Sequence, residues 1–142
     1  MIVVAADRSD HAAEVIGEAT ELGELAGEPL HVVHVLTRRE FLDLQRASTE
    51  DTGKPVEIDR VRALAEKQAG RAIDRAGVEN AEAVGLMGKP GESIAEYAEE
   101  HDARYVVAGY RRRSPAGKVV FGSVAQRILR ESARPVLMVG GR

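Results

Sequence analysis

Residues 104–139 decide the fold. They read Arg104-Tyr105-Val106-Val107-Ala108-Gly109, then the basic run Arg111-Arg112-Arg113-Ser114-Pro115-Ala116-Gly117-Lys118, then Val119-Val120-Phe121-Gly122-Ser123, and finally Val136-Leu137-Met138-Val139. The first part predicts a buried strand ending at a glycine. The Gly122-Ser123 pair predicts a helix start, and the last part predicts a closing apolar strand. A glycine at a strand's carboxyl end followed by a Gly-Ser helix start is what an anion site needs. Glycine lets backbone N–H groups approach a phosphate, and the helix N-terminus adds partial positive charge. A nucleotide is therefore the leading ligand candidate.

Working outward, five apolar runs in all alternate with helical spacing. They are Ile2–Ala5, Leu30–Val35, the weaker Ala83–Met87 with Gly85 inside it, and Arg104–Ala108, before the last run Val136–Val139. Their valine-rich, poorly alternating character suits parallel strands covered on both faces. Between them, Ala12, Val15, Ile16, Ala19, Leu22 and Ala26 recur at three and four residues. So do the apolar positions from Val61 to Ala76, with Gly77 as a stop signal. Ile94, Tyr97 and Ala98, then Val124, Ile128 and Leu129, predict two further helices. Ser9 and Asp10 are N-cap residue types, and Pro135 ends the last helix.

Strands alternating with helices imply right-handed βαβ units and an open α/β sheet. Ligands of such sheets sit beyond the strands' carboxyl ends, where the strand order switches. Asp7, Val35 and Gly109 all fall at such ends and are expected to share one crevice. The polar stretch from Thr37 to Ile58 is the exception to the alternation. Phe41, Leu42 and Leu44 suggest a short helical turn there, followed by a long connection of the kind used as a lid or binding loop.

The 142 residues fit one domain over residues 1–142, with a hydrophobic fraction of 44% and a charged fraction of 30%. No apolar run reaches the length of a membrane span, and the N-terminus lacks a basic leader, so a cytoplasmic protein is expected. Cysteine is absent, which excludes disulfides, thiolate catalysis and cysteine-ligated metals. A net charge of −3, with three tyrosines, two phenylalanines and no tryptophan, argues against a base-stacking nucleic-acid platform, and nucleic acid ranks below the other ligands. The four histidines form no metal-binding spacing and read as core or surface residues; His31 and His34 are expected on opposite faces of one strand.

Standard nucleotide motifs fail. A P-loop ending at Gly117-Lys118 would need glycine at Arg112 and a hydroxyl at Val119. No G-x-G-x-x-G follows the first strand, and no G-x-S-x-G is present. No carboxylate pair can be placed in the crevice, so no general acid–base chemistry is expected, and any ATP hydrolysis would be slow.

The chain instead resembles the universal stress protein family over its whole length. The family's nucleotide-binding members carry G-x2-G-x9-G-[ST] after the fourth strand. Here the register gives Gly109, then Arg112 in place of the second glycine, then Gly122 and Ser123. Ile2-Val3-Val4-Ala5-Ala6-Asp7, His34-Val35, Gly88-Lys89-Pro90-Gly91 and Arg134-Pro135-Val136-Leu137-Met138-Val139 resemble further family segments in the same order. The resemblance implies an open five-stranded parallel sheet of order 3-2-1-4-5 with helices on both faces (the adenine nucleotide alpha-hydrolase-like fold). It implies a homodimer paired through Val136–Val139 and an ATP site, with Mg²⁺ accompanying the phosphates. The binding set carried over is Ala5, Asp7, Val35, Gly109, Arg112, Gly122, Ser123 and Val124, with no catalytic residue. Lys118 or one of the three arginines would supply counter-charge. Arg112 is the departure: if that position needs a positive φ, arginine is strained there. The alternative reading is a dimeric interaction module that binds no nucleotide and acts through a protein partner. Asp7 by itself reads as a cap or turn former; in the crevice a ribose-hydroxyl acceptor role stands level with capping.

Overall fold

A computed structural model of the chain describes residues 1–7, 9–112 and 119–141. Its elements in order are β1 (Ile2–Ala5), α1 (His11–Ala26), β2 (Leu30–Leu36), α2 (Arg38–Thr52), α3 (Ile58–Ala76) and β3 (Ala81–Met87). They are followed by α4 (Pro90–Glu100), β4 (Tyr105–Arg112), β5 (Val119–Val120), α5 (Ser123–Glu131) and β6 (Val136–Gly141). Five strands run parallel in the order β3-β2-β1-β4-β6, which is the expected 3-2-1-4-5 arrangement. The sixth, β5, is a short antiparallel addition to β4.

The strands alternate between two hydrophobic layers. Ile2, Val4, Leu30, Val32 and Val107 face α1 and α3, where Val15, Ile16, Ala69 and Ile73 meet them. Val3, Val33, Val35, Val106 and Ala108 face α4 and α5, where Ile94, Ala98 and Ile128 cover them. Both faces are buried, so the sequence shows runs of valine and not alternation with polar residues. β3 begins two residues earlier than expected, and Gly85 lies within it. A Cβ on Gly85 would stand 2.3 Å from the Arg62 carbonyl oxygen and from the Glu66 amide. This glycine lets the α3 backbone close onto the edge strand.

Three expectations are corrected. The stretch after Thr37 is a 15-residue helix, not a short turn and a lid. Thr37 and Glu40 form a capping box: the Glu40 amide donates to Thr37 Oγ1 (3.2 Å), and Thr37 N donates to Glu40 Oε1 (3.3 Å). Phe41 and Leu44 pack with Val56 and Met87 against a satellite core of Leu36, Val61 and Ala65. Gln45 holds the return by accepting from Val56 N (2.8 Å) and donating to its carbonyl (3.1 Å). Second, β4 does not stop at Gly109 but runs on to Arg112. Third, α5 ends at Glu131, ahead of Pro135, with Ser132 Oγ turning the chain through hydrogen bonds to Arg134 N and O.

Candidate functional site

Arg111 pairs with Gly141 of β6 and with Val120 of β5. Since β6 takes one side of β4, β5 takes the side that β1 borders lower down. The β4–β5 ribbon thus stands over the end of β1, where strand order reverses and such sheets bind ligands. Arg112 is in extended backbone paired with Val119, so the strain expected of a left-handed arginine does not arise. The side chain of Arg112, and the expected contributions of Arg113, Gly117 and Lys118, lie outside the described residues.

Two adjoining clefts occupy this switch point. The first, of about 350 Å³, lies among Ala5 at the end of β1, Ala6 after it, Val35 in β2, Ala108 in β4, Ile94 in α4 and Ile128 in α5. The second, of about 370 Å³, lies among Arg111, Val120, Gly122 and Ser123. Asp7, Gly109, Val124 and Ala125 border both. Of the sequence-derived binding set, Ala5, Asp7, Val35, Gly109 and Val124 meet at the apolar cleft, and Gly122 and Ser123 meet at the polar one.

The two glycines differ. A Cβ at Gly109 would stand 2.8 Å from Val15 Cγ2 and 2.9 Å from His11 Cδ2. Glycine is required there by the approach of α1, whatever occupies the cleft. Gly122 has an ordinary φ of −67°, and a Cβ on it would meet nothing within 4 Å. No feature of the described chain demands glycine at 122; what remains is the open space before α5. The first amides of α5 have no intrahelical acceptor and carry the positive end of the helix dipole. Asp7 spends Oδ1 on a local turn, accepting from Ser9 N (2.8 Å) and from the Ser9 hydroxyl. Its turn-forming role is therefore real, while its exposed carboxylate still borders both clefts. The expected cap at Asp10 makes no side-chain hydrogen bond.

The histidines separate as expected. His31 shares a 2.8 Å hydrogen bond with the Tyr97 hydroxyl and lies 3.1 Å from Glu82, away from the clefts. Burial, with Glu82 nearby, pushes the Tyr97 phenol above its ordinary 10.0. His11 donates through Nε2 to the Val139 carbonyl (3.0 Å). His34 is different. It is 6% exposed, borders the apolar cleft, and is held by a 3.1 Å hydrogen bond between Nδ1 and the Ala6 carbonyl. Its Nε2 is buried with no partner among the described residues. Such an atom costs about 1–3 kcal/mol while it stays unsatisfied. The sequence reading missed His34 as a cleft residue, along with Thr37 and Glu40. The T-x-x-E spacing of a capping box was the available signal for that pair. No group of three or more histidine, aspartate or glutamate side chains among the described residues is arranged to hold a metal.

A sequence model of the Universal stress protein family matches residues 1–140. The chain belongs to that family. A universal stress protein of Thermus aquaticus is 30% identical over 141 residues, covering 97% of this chain and 96% of the relative. Among solved structures, a universal stress protein from Archaeoglobus fulgidus is similar with 34% identity and a TM-score of 0.67, over 97% of this chain and 96% of that one. A second structure, of the universal stress protein from Archaeoglobus fulgidus in complex with dAMP, is 30% identical with a TM-score of 0.63, over 97% and 95% of the two chains. No helix among the described residues of this universal stress protein is long and apolar enough to cross a membrane.

Proposed function

We propose that this universal stress protein binds an adenine nucleotide at the strand switch point and acts as a nucleotide-responsive regulator in a stress response. One observation carries the reading: an apolar cleft of base size continues into a polar cleft at the N-terminus of α5, with Asp7 at the junction. Volumes of this order suit small-molecule sites. The base would occupy the apolar part, the ribose hydroxyls would donate to Asp7, and the phosphates would lie on the amides of Ser123 and Val124 beside Arg111. Mg²⁺ would be held chiefly by the phosphates, as that ion usually is. The dAMP complex of the Archaeoglobus fulgidus relative supports the choice of an adenine nucleotide. The function proposed is binding.

The test is calorimetric titration of nucleotide-stripped protein with ATP and Mg²⁺, beside the double variant Gly122→Val, Ser123→Ala. Saturable binding by the parent is expected, weakened at least about tenfold in the variant, since charge-assisted contacts of this kind contribute that much. The Cβ of a residue at 122 meets no neighbour, so the variant should fold, and a thermal melt checks it. Unchanged affinity in the variant would place the phosphates elsewhere.

A second feature favours an added role in self-association. β6 is an edge strand, and Leu137 on it is 41% exposed. Exposed apolar edges invite pairing. We propose that two copies pair along β6. If the parent binds no nucleotide, this surface becomes the centre of function, as in an interaction module.

A further inference from the structure

The sheet has a second edge, β3, opposite β6. On the α4 side, Val3, Val33 and Val35 of β1 and β2 are buried, while Val84 and Leu86 of β3 are only partly covered. The helices α4 and α5 cover this face and leave its outermost strand partly bare. A groove of about 330 Å³ follows β3 there, between Arg62 of α3 and Ser93, Glu96, Tyr97 and Glu100 of α4. Gly85, Leu86 and Met87 form its floor.

One bond fixes which way the backbone faces along this edge. Gly88 N donates to the Leu36 carbonyl at 3.0 Å, and Leu36 lies opposite Met87 in the parallel register. In a parallel strand, the N–H and C=O of one residue face the same neighbour, and the side alternates from residue to residue. Gly88, Leu86 and Val84 therefore turn these groups to β2, and Ala83, Gly85 and Met87 turn theirs outward. Among the described residues, no backbone hydrogen bond outside the sheet engages those three. Gly85 and Met87 thus present free donors and acceptors in the groove.

We propose that this groove takes an extended basic segment of a partner protein, added as a further strand on β3. The charge pattern names the occupant. Alternate residues of a strand lie about 6.6 Å apart on one face. Glu96 and Glu100 are separated by about 6 Å of helix rise. Neither makes an ion pair among the described residues. Lysines or arginines at alternate positions of the entering strand match both the spacing and the sign. The α4 wall is preorganised, since Tyr97 stacks on His101 at 3.9 Å and shares a 2.8 Å hydrogen bond with His31. A second copy fits less well. Its β3, Ala81–Met87, carries Glu82 and no cation, so pairing β3 with β3 would bring more carboxylate to a carboxylate wall.

The probe is a capped peptide of alternating lysine and valine, seven residues long like β3, titrated into the full ¹⁵N-labelled chain. A second peptide replaces lysine with glutamate. A third is N-methylated at every amide, which keeps the charge and removes the donors. The lysine peptide is expected to bind at least about tenfold tighter than the glutamate peptide, since two positions change from attraction to repulsion. N-methylation should cost at least about tenfold as well. The amides of Gly85 and Met87 should shift and gain protection from exchange. Glu96→Lys with Glu100→Lys, both at exposed positions, should reverse the preference between the charged peptides. Equal binding of the two charged peptides by the parent overturns the proposal, as does binding that N-methylation leaves unchanged. So do shifts confined to β6 or to the switch-point clefts. Protection of Gly85 and Met87 already present in the peptide-free chain would mean that a second copy covers β3, which also overturns it. Should the double variant not fold, the amide map of the parent decides alone.

Discussion

At the scale of the residue, two glycines of one family motif do different work. Gly109 makes room for His11 and Val15, whereas Gly122 makes room for nothing in the described chain. Gly109→Ala should therefore destabilise the fold by about 1–3 kcal/mol, the usual cost of overpacking a close contact. Gly122→Ala should leave stability within about 0.5 kcal/mol, as surface substitutions generally do. Urea unfolding of the two variants checks the contrast, and equal costs would mean that the two glycines are not distinguished by α1. The sequence reading assigned both glycines to the ligand. Sequence spacing identifies a glycine but does not say which neighbour approaches it. His34 was read correctly as a buried strand histidine, but its place beside the cleft was missed for the same reason, because the neighbours of a strand position are set by the fold.

At the scale of the element, α2 is the largest departure from the sequence reading. Its 15 residues are polar enough to resemble a lid, and none is fully buried. What makes it a helix is local: the capping box of Thr37 and Glu40 and the Gly53 stop, with φ 71°. What holds it in place is a narrow stripe, Phe41 and Leu44 on the satellite core. Thr37→Ala should lower stability by about 1 kcal/mol, a typical cost for losing an N-cap. Amide exchange should show the first turn of α2 losing protection before the other helices. Unchanged protection there would mean that the cap does not anchor the helix. Because Thr37 and Glu40 also line the apolar cleft, the cap doubles as part of its rim. The run of three arginines was read as a loop, but Arg111 and Arg112 extend β4, since pairing with β5 and β6 supplies hydrogen bonds that no local propensity predicts.

At the scale of the whole molecule, the parallel sheet leaves β6 as an apolar edge. Sedimentation should find the protein at twice its chain mass, and Leu137→Lys should return it to a monomer by placing charge on the edge. A monomeric parent at high concentration would rule out pairing through this strand. By themselves, the valine-rich runs and the helical spacing between them determined the α/β class. The ordered family motifs further implied the strand order and the set of residues near the switch point. Those properties rest on periodicity and on side-chain chemistry that each segment carries alone. Tertiary structure decided the rest: which glycine serves packing and which stays open, the polar helix α2 seated on its satellite core, and the burial of His34 Nε2 with no partner among the described residues. Each of these depends on distances between segments far apart in the chain, and only the folded arrangement sets them.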